Sequence, residues 1–113
     1  MTCKDTSCVN QEKVQKLISS IPSGEKIEEN YDILRALADP TRLKILYLLK
    51  NGELCACEII ESMDKSQSTI SHHLNILKKE KIISSQKNGK WVNYKLKNPN
   101  IMDDLEKVFN LGE

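Results

Sequence analysis

The chain has 113 residues, 39% hydrophobic and 4% aromatic, with a formal net charge of +1. That length points to one domain with a modest core built by aliphatic helix packing, and no apolar run approaches the ~20 residues needed to span a bilayer. The N-terminal stretch MTCKDTSCVNQEK lacks the apolar region of a secretory signal. The expected location is therefore the cytoplasm, without a membrane partner. Thiols stay reduced there, and clustered cysteines more often mean metal or redox chemistry than structural disulfides.

The small net charge hides an uneven distribution. Between Met63 and Lys97 eight lysines stand against two acids, Asp64 and Glu80, while the rest of the chain has nine bases and fourteen acids. A basic segment on a near-neutral chain is expected to meet a polyanion. A plainly solvated lysine surface is the alternative.

Residues 1–24 read as a flexible arm and a short helix, and residues 25–113 as the main domain. Cys3 and Cys8 lie on the arm. Asn10 is placed to cap a helix through Ser20, with Val14, Leu17, Ile18 and Ile21 as its apolar stripe. Pro22, Ser23 and Gly24 break the chain. A second helix is expected over about 27–38, with Tyr31, Leu34, Leu37 and Ala38 on one side. Asp39-Pro40 is a strong helix start: Asp39 accepts from free first-turn amides, and Pro40 gives up no needed donor. This helix is expected to run to Lys50. Leu43, Ile45, Leu46, Leu48 and Leu49 make it apolar around much of its circumference, as in a central buried helix. Asn51-Gly52 stops it.

The next helix is expected over about 54–62, with Cys55 and Cys57 in its first turn. Asp64 to Ser66 make a turn, and Ser66 is a candidate N-cap for a helix to about Lys79. At about 100° per residue, Ile70, Leu74 and Leu77 share one narrow arc, while Gln67, Ser68, Ser71, His72, Asn75 and Lys78 share another side. Those side chains are mostly small and rich in donors, suited to the base edges and phosphates of a major groove, which admits one helix. An ordinary solvated surface is the alternative, although Glu is missing from it and Ser and Asn are poor choices for helix stability. His72 belongs to the polar side. His73 points about 100° away, toward the apolar flank, which favours a packed or hydrogen-bonded ring over a metal site shared with His72.

Strands are expected over 82–87 and 90–97, with Asn88-Gly89 as a two-residue hairpin turn. Val92, Tyr94 and Leu96 alternate onto one side, and Lys87 and Lys90 put positive charge at the tip. The candidate DNA contacts are therefore Ser66, Gln67, Ser68, Thr69, Ser71, His72, Asn75, Lys78, Lys87 and Lys90. A last helix carries Ile101, Leu105, Val108 and Phe109, a stripe suited to a second copy of the chain or to packing on its own core.

The expected fold is mainly α with a small β-hairpin wing, a winged helix-turn-helix. Over about 31–96 the stretches ALADPTRLKILYLL, ELCACEI, SQSTISHHLNIL and GKWVNYKL, in that order, resemble the ArsR/SmtB family of metal-sensing repressors. The resemblance implies a homodimer that sits on double-stranded operator DNA, represses metal-resistance genes and leaves when metal binds. It places the recognition helix at about 66–79. ELCAC resembles the family's thiolate sensor site. Cys3 and Cys8 resemble the N-terminal cysteines of the CadC-like cadmium and lead sensors, in which the arm of one subunit completes the site on the other. Two departures stand out. Ile60 occupies the place where many arsenic sensors carry a third cysteine. The last helix has Asp103, Asp104 and Glu106 but no histidine, against the histidine and carboxylate zinc site of other members.

Thiolates are soft ligands that favour Cd(II), Pb(II), Hg(II), Zn(II) and As(III) over hard cations. Cys55, Cys57, Cys3 and Cys8 are the candidate metal ligands, four together or three for the pyramidal chemistry of Pb(II) or As(III). On a regular helix Cys55 and Cys57 stand about 200° apart, so joint chelation needs an irregular first turn. A helix N-terminus also lowers a thiol's pKa. Both pairs have plainer readings, as core residues and as incidental arm residues. The expected function is a metal(loid)-responsive repressor. A thiol redox regulator on the same fold is the alternative. An enzyme is not expected, because no nucleophile with a positioned base, no glycine-rich phosphate loop and no Cys-x-x-Cys is present.

Overall fold

The computed structural model describes residues 8–111 and divides into two units, one ending at Tyr31 and one beginning at Asp32. In the first unit α1 spans Gln11–Ser20, and the Asn10 side chain accepts from the Lys13 amide at 3.1 Å. Leu17, Ile18 and Ile21 of the expected stripe are exposed. Helix α2, Gly24–Leu37, crosses from the first unit into the second. It begins before the expected position because Ser23 caps it, its Oγ accepting from the Lys26 amide at 3.2 Å. Only its end is buried, at Ala36 and Leu37, whereas Tyr31 and Leu34 remain exposed.

In the second unit α3, Pro40–Leu49, starts at Asp39, whose carboxylate accepts from the Arg42 amide at 3.0 Å. Ile45, Leu46 and Leu49 are buried, as a central helix requires. Helix α4 spans Ala56–Ser62, α5 spans Gln67–Lys79 and α6 spans Ile101–Phe109. The core gathers the α3 side chains with Ile59 of α4, Ile70, Leu74 and Leu77 of α5, and Met102 of α6. No aromatic ring is fully buried among the described residues, in keeping with an aliphatic core. Lys50, just after α3, reaches Glu106 at 2.8 Å and Asp103 at 3.6 Å, tying α3 to α6 at the surface.

The wing has three strands, not two. β1 is Leu54–Cys55, β2 is Ile83–Asn88 and β3 is Trp91–Leu96, in the antiparallel order β1-β3-β2. The hairpin turn is Gly89-Lys90, one residue beyond the expected Asn88-Gly89, with Gly89 at φ 61°. A glycine at the first central position with positive φ is the type II′ arrangement. This register sets buried Ile83 opposite buried Leu96. The expected turn would have set Ile83 opposite Tyr94 and Leu96 opposite Lys81. Helix α5 stops at Lys81, a non-glycine residue at φ 60°. The Lys81 amide donates to Lys78 O and the Ile82 amide to Leu77 O, both at 3.0 Å. That pairing, with Leu77 and Ile82 both buried, is a Schellman ending. Helices α4 and α5, the break between them and the sheet make a winged helix-turn-helix.

Leu46 is fully enclosed at 0% exposure, so Leu46→Ala should cost about 2–5 kcal/mol of unfolding free energy. Urea unfolding at fixed protein concentration measures this, and a loss under about 1 kcal/mol would show that the site can collapse around the cavity.

Candidate functional site

Burial of Ile70, Leu74 and Leu77 turns the opposite side of α5 outward. Gln67, Ser68, Ser71, His72, Asn75 and Lys78 are all exposed along it. Ser66 is the N-cap: its Oγ accepts from the Thr69 amide at 3.2 Å and donates to Thr69 Oγ1 at 2.9 Å, and Ser68 Oγ lies 3.2 Å away. Ser66 is exposed and Thr69 half-buried, so the two hydroxyls form a small polar cluster at the start of the helix. At the hairpin, Lys87 on β2 and Lys90 in the turn are exposed, and Lys90 Nζ stands 5.3 Å from the centre of the Trp91 ring. The outer side of α5 and the tip of the hairpin thus both expose donors and cations.

His73 ties α5 to the first turn of α3. Its side chain is 15% exposed, and its Nδ1 lies 3.1 Å from Arg42 Nη1 and 4.0 Å from Asp39 Oδ2. Guanidinium only donates, so Nδ1 accepts and the ring is neutral. Arg42 also donates through Nε to Ala36 O at 2.6 Å and through Nη2 to Arg35 O at 3.5 Å. One guanidinium therefore joins the end of α2, the start of α3 and the middle of α5. Burial pushes the His73 pKa down, with the Arg42, His72 and Lys65 charges adding to it and Asp39 opposing. Burial alone would raise Asp39. The Arg42 amide, the Arg42 and His73 charges and the Thr41 amide outweigh that and hold it below the usual carboxylate value. Arg42 carried no signal of this role in sequence beyond its place in the capped first turn.

The thiols do not sit in a regular first turn, as the expected helix over 54–62 would have placed them. Cys55 is extended, φ −78° and ψ 158°, because it pairs in β1 with Asn93, and α4 begins only at Ala56. This brings the two Cα atoms to 5.4 Å and joins the Cys55 and Cys57 sulfurs. Glu58 accepts from the Cys55 amide at 2.9 Å, which holds the cap. Cys55-x-x-Glu58 has the spacing of a capping box with Cys in the place of Ser or Thr, a signal that was available in the sequence. Cys55 is half-buried and Cys57 exposed, so neither is a core residue. Once reduced, the pair offers two converging thiolates to one soft ion. Among the described residues no group of three or more His, Cys, Asp or Glu converges for a metal. Cys8 is exposed in the first unit, and Cys3 lies outside the described residues.

Residues 39–85 match the family described as bacterial regulatory protein, arsR family. An HTH-type transcriptional regulator of Methanocaldococcus jannaschii is 46% identical over 88 residues, covering 77% of this chain and 99% of that protein. The cadmium resistance transcriptional regulatory protein CadC of Listeria innocua is 36% identical over 110 residues, covering 96% of this chain and 92% of that protein. Among solved structures, HlyU from Vibrio cholerae superposes with a TM-score of 0.68 at 27% identity, covering 78% of this chain and 98% of that one.

The lowered His73 pKa makes stability depend on pH. Below about 6.5 the unfolded chain takes up a proton that the folded chain resists. Stability should therefore fall as pH drops from about 7 through about 6 and below. His73→Gln should flatten that slope, as read from Tm against pH. An equal slope in wild type and variant would remove His73 from the account.

Proposed function

The chain belongs to the ArsR family of bacterial regulatory proteins, DNA-binding transcriptional regulators rather than enzymes, and from that premise we propose that it is a metal(loid)-responsive repressor. It acts in the cytoplasm as a homodimer on double-stranded operator DNA. Residues 1–24 serve as the arm, and residues 25–113 bind DNA and pair. Ser66, Gln67, Ser68, Thr69, Ser71, His72, Asn75 and Lys78 meet the major groove, and Lys87 and Lys90 meet the backbone. Exposed Leu17 and Ile18 on α1, Ile21 just after it, and Val108 and Phe109 on α6 are apolar surface that a second copy would cover.

The observation that carries the reading is the convergence of Cys55 and Cys57 at the cap of α4, with only residues 63–66 between α4 and α5. The effector is a soft ion, Cd(II), Pb(II), Zn(II) or As(III), for which thiolates are the matching ligands. The remaining ligands come from Cys3 and Cys8. The effector need not block DNA. It need only prefer a dimer that fits the operator poorly, and the two affinities then oppose each other by one factor. The similarity to a cadmium resistance regulator over nearly the whole chain supports this choice of effector class.

A thiol redox regulator is the second reading, favoured by the joined sulfurs of Cys55 and Cys57. On this reading peroxide releases the operator and dithiothreitol restores binding, with no response to metal.

The test uses an inverted-repeat duplex selected from a random library, with fluorescence anisotropy as readout. Cys55→Ser and Cys57→Ser should keep operator binding and lose release by Cd(II), whereas full release in the double variant would be incompatible with this site. On the DNA side, Gln67→Ala or Ser71→Ala should lose roughly 1–3 kcal/mol of discrimination against a changed half-site, the range for a good base contact. Lys87→Ala or Lys90→Ala should weaken binding to every sequence and lower the salt slope by about one for each phosphate left unneutralised. An unchanged salt slope would place the wing away from the backbone.

A further inference from the structure

We propose that the wing is the element through which the thiol pair acts on DNA, with Trp91 as the positioning residue between them. This rests on the reading that Cys55 and Cys57 bind a soft ion, and deepens it. Three observations converge. First, one cleft of ≈ 450 Å³ is lined by Cys55, Cys57 and Ile60 together with Gln67 of α5 and Lys90 and Trp91 of the hairpin. The thiols and the indole thus line the same space, which is large enough for an ion with further ligands. Second, Cys55 is paired to Asn93 in the β1–β3 ladder, two residues from Trp91. A change in Cys55 backbone geometry therefore passes into β3 through main-chain hydrogen bonds, without an intervening loop. Third, Trp91 is 52% exposed yet carries the Lys90 ammonium over its ring at 5.3 Å. Displacing the indole moves the cation that the wing offers to a phosphate. Sensing and DNA binding thus share two adjacent residues, and withdrawal of the wing from a phosphate is the expected form of release.

Trp91 is the sole tryptophan in the chain, so its emission reports on this cleft alone. Reduced full-length protein is titrated with Cd(II) alone, following tryptophan emission and thiolate-to-Cd(II) charge-transfer absorption together. The operator Kd is then measured with and without Cd(II) in wild type, Trp91→Ala and Trp91→Phe. The emission change should saturate in step with the absorption and vanish in Cys55→Ser/Cys57→Ser. The ratio of operator Kd with and without Cd(II), expected within roughly 5–150-fold for wild type, should fall toward unity in Trp91→Ala. It should recover in Trp91→Phe, with the absorption intact in both. A merely structural tryptophan would not give recovery by the smaller ring together with intact Cd(II) absorption. If wild type and Trp91→Ala show the same absorption and the same Kd ratio, the wing is not the path, while the metal-responsive reading stands. If no charge-transfer absorption develops in wild type, the metal reading fails and this proposal fails with it.

Discussion

Packing of α5 on α3 is the constraint from which the rest of the molecule follows. Ile70, Leu74 and Leu77 are buried with Ile45, Leu46 and Leu49 in one aliphatic cluster. Each fully buried side chain of this size contributes about 1.5–3 kcal/mol. Turning α5 by one residue, about 100°, would withdraw part of that stripe and drive Ser71 and Asn75 toward the core, at the cost of burying unpaired polar groups. The core therefore decides which polar residues of α5 face outward. The Arg42–His73 contact at 3.1 Å adds a directional lock that apolar packing lacks. It also links α5 to the end of α2 through the same guanidinium.

The thiol site depends on a smaller constraint. Leu54 and Cys55 are drawn into the sheet by Tyr94 and Asn93, which makes Cys55 extended and delays the helix to Ala56. Without those pairings, a helix starting at Leu54 would hold the two thiols on different sides. Two main-chain partners on a distant strand thus turn a sequence doublet into a chelating pair. Glu58 keeps the arrangement by satisfying the Cys55 amide that the helix leaves free.

What was legible in the sequence was mostly local. Asn10, Asp39 and Ser66 announced their helices because an N-cap acts within three residues of itself. The α5 stripe was legible because one helix buries one side. The outward polar side of α5 followed from the same periodicity. Strand β1 was hidden because two residues are too few to show alternation, and its partner lies some forty residues on. The hairpin turn was misplaced by one residue because Asn-Gly is the stronger local signal, while the pairing of Ile83 with Leu96 is decided by the core. Met102, buried at 0%, was passed over beside Ile101 and Leu105, since the direction from which α6 meets the core is a tertiary fact. The Arg42 network joins three helices, and no spacing rule reaches across them.

Lys81 carries a trade-off within one residue. A left-handed backbone costs a side-chain-bearing residue about 1–2 kcal/mol that glycine escapes, and the Schellman ending of α5 needs that backbone at position 81. Glycine there would relieve the torsional penalty but remove one of eight lysines from the basic segment between Met63 and Lys97. It would also remove a cation from the negative end of the α5 dipole. Thermal robustness and polyanion attraction thus pull position 81 in opposite directions, so a variant library selected for heat resistance alone would be expected to drift toward weaker operator binding at this position.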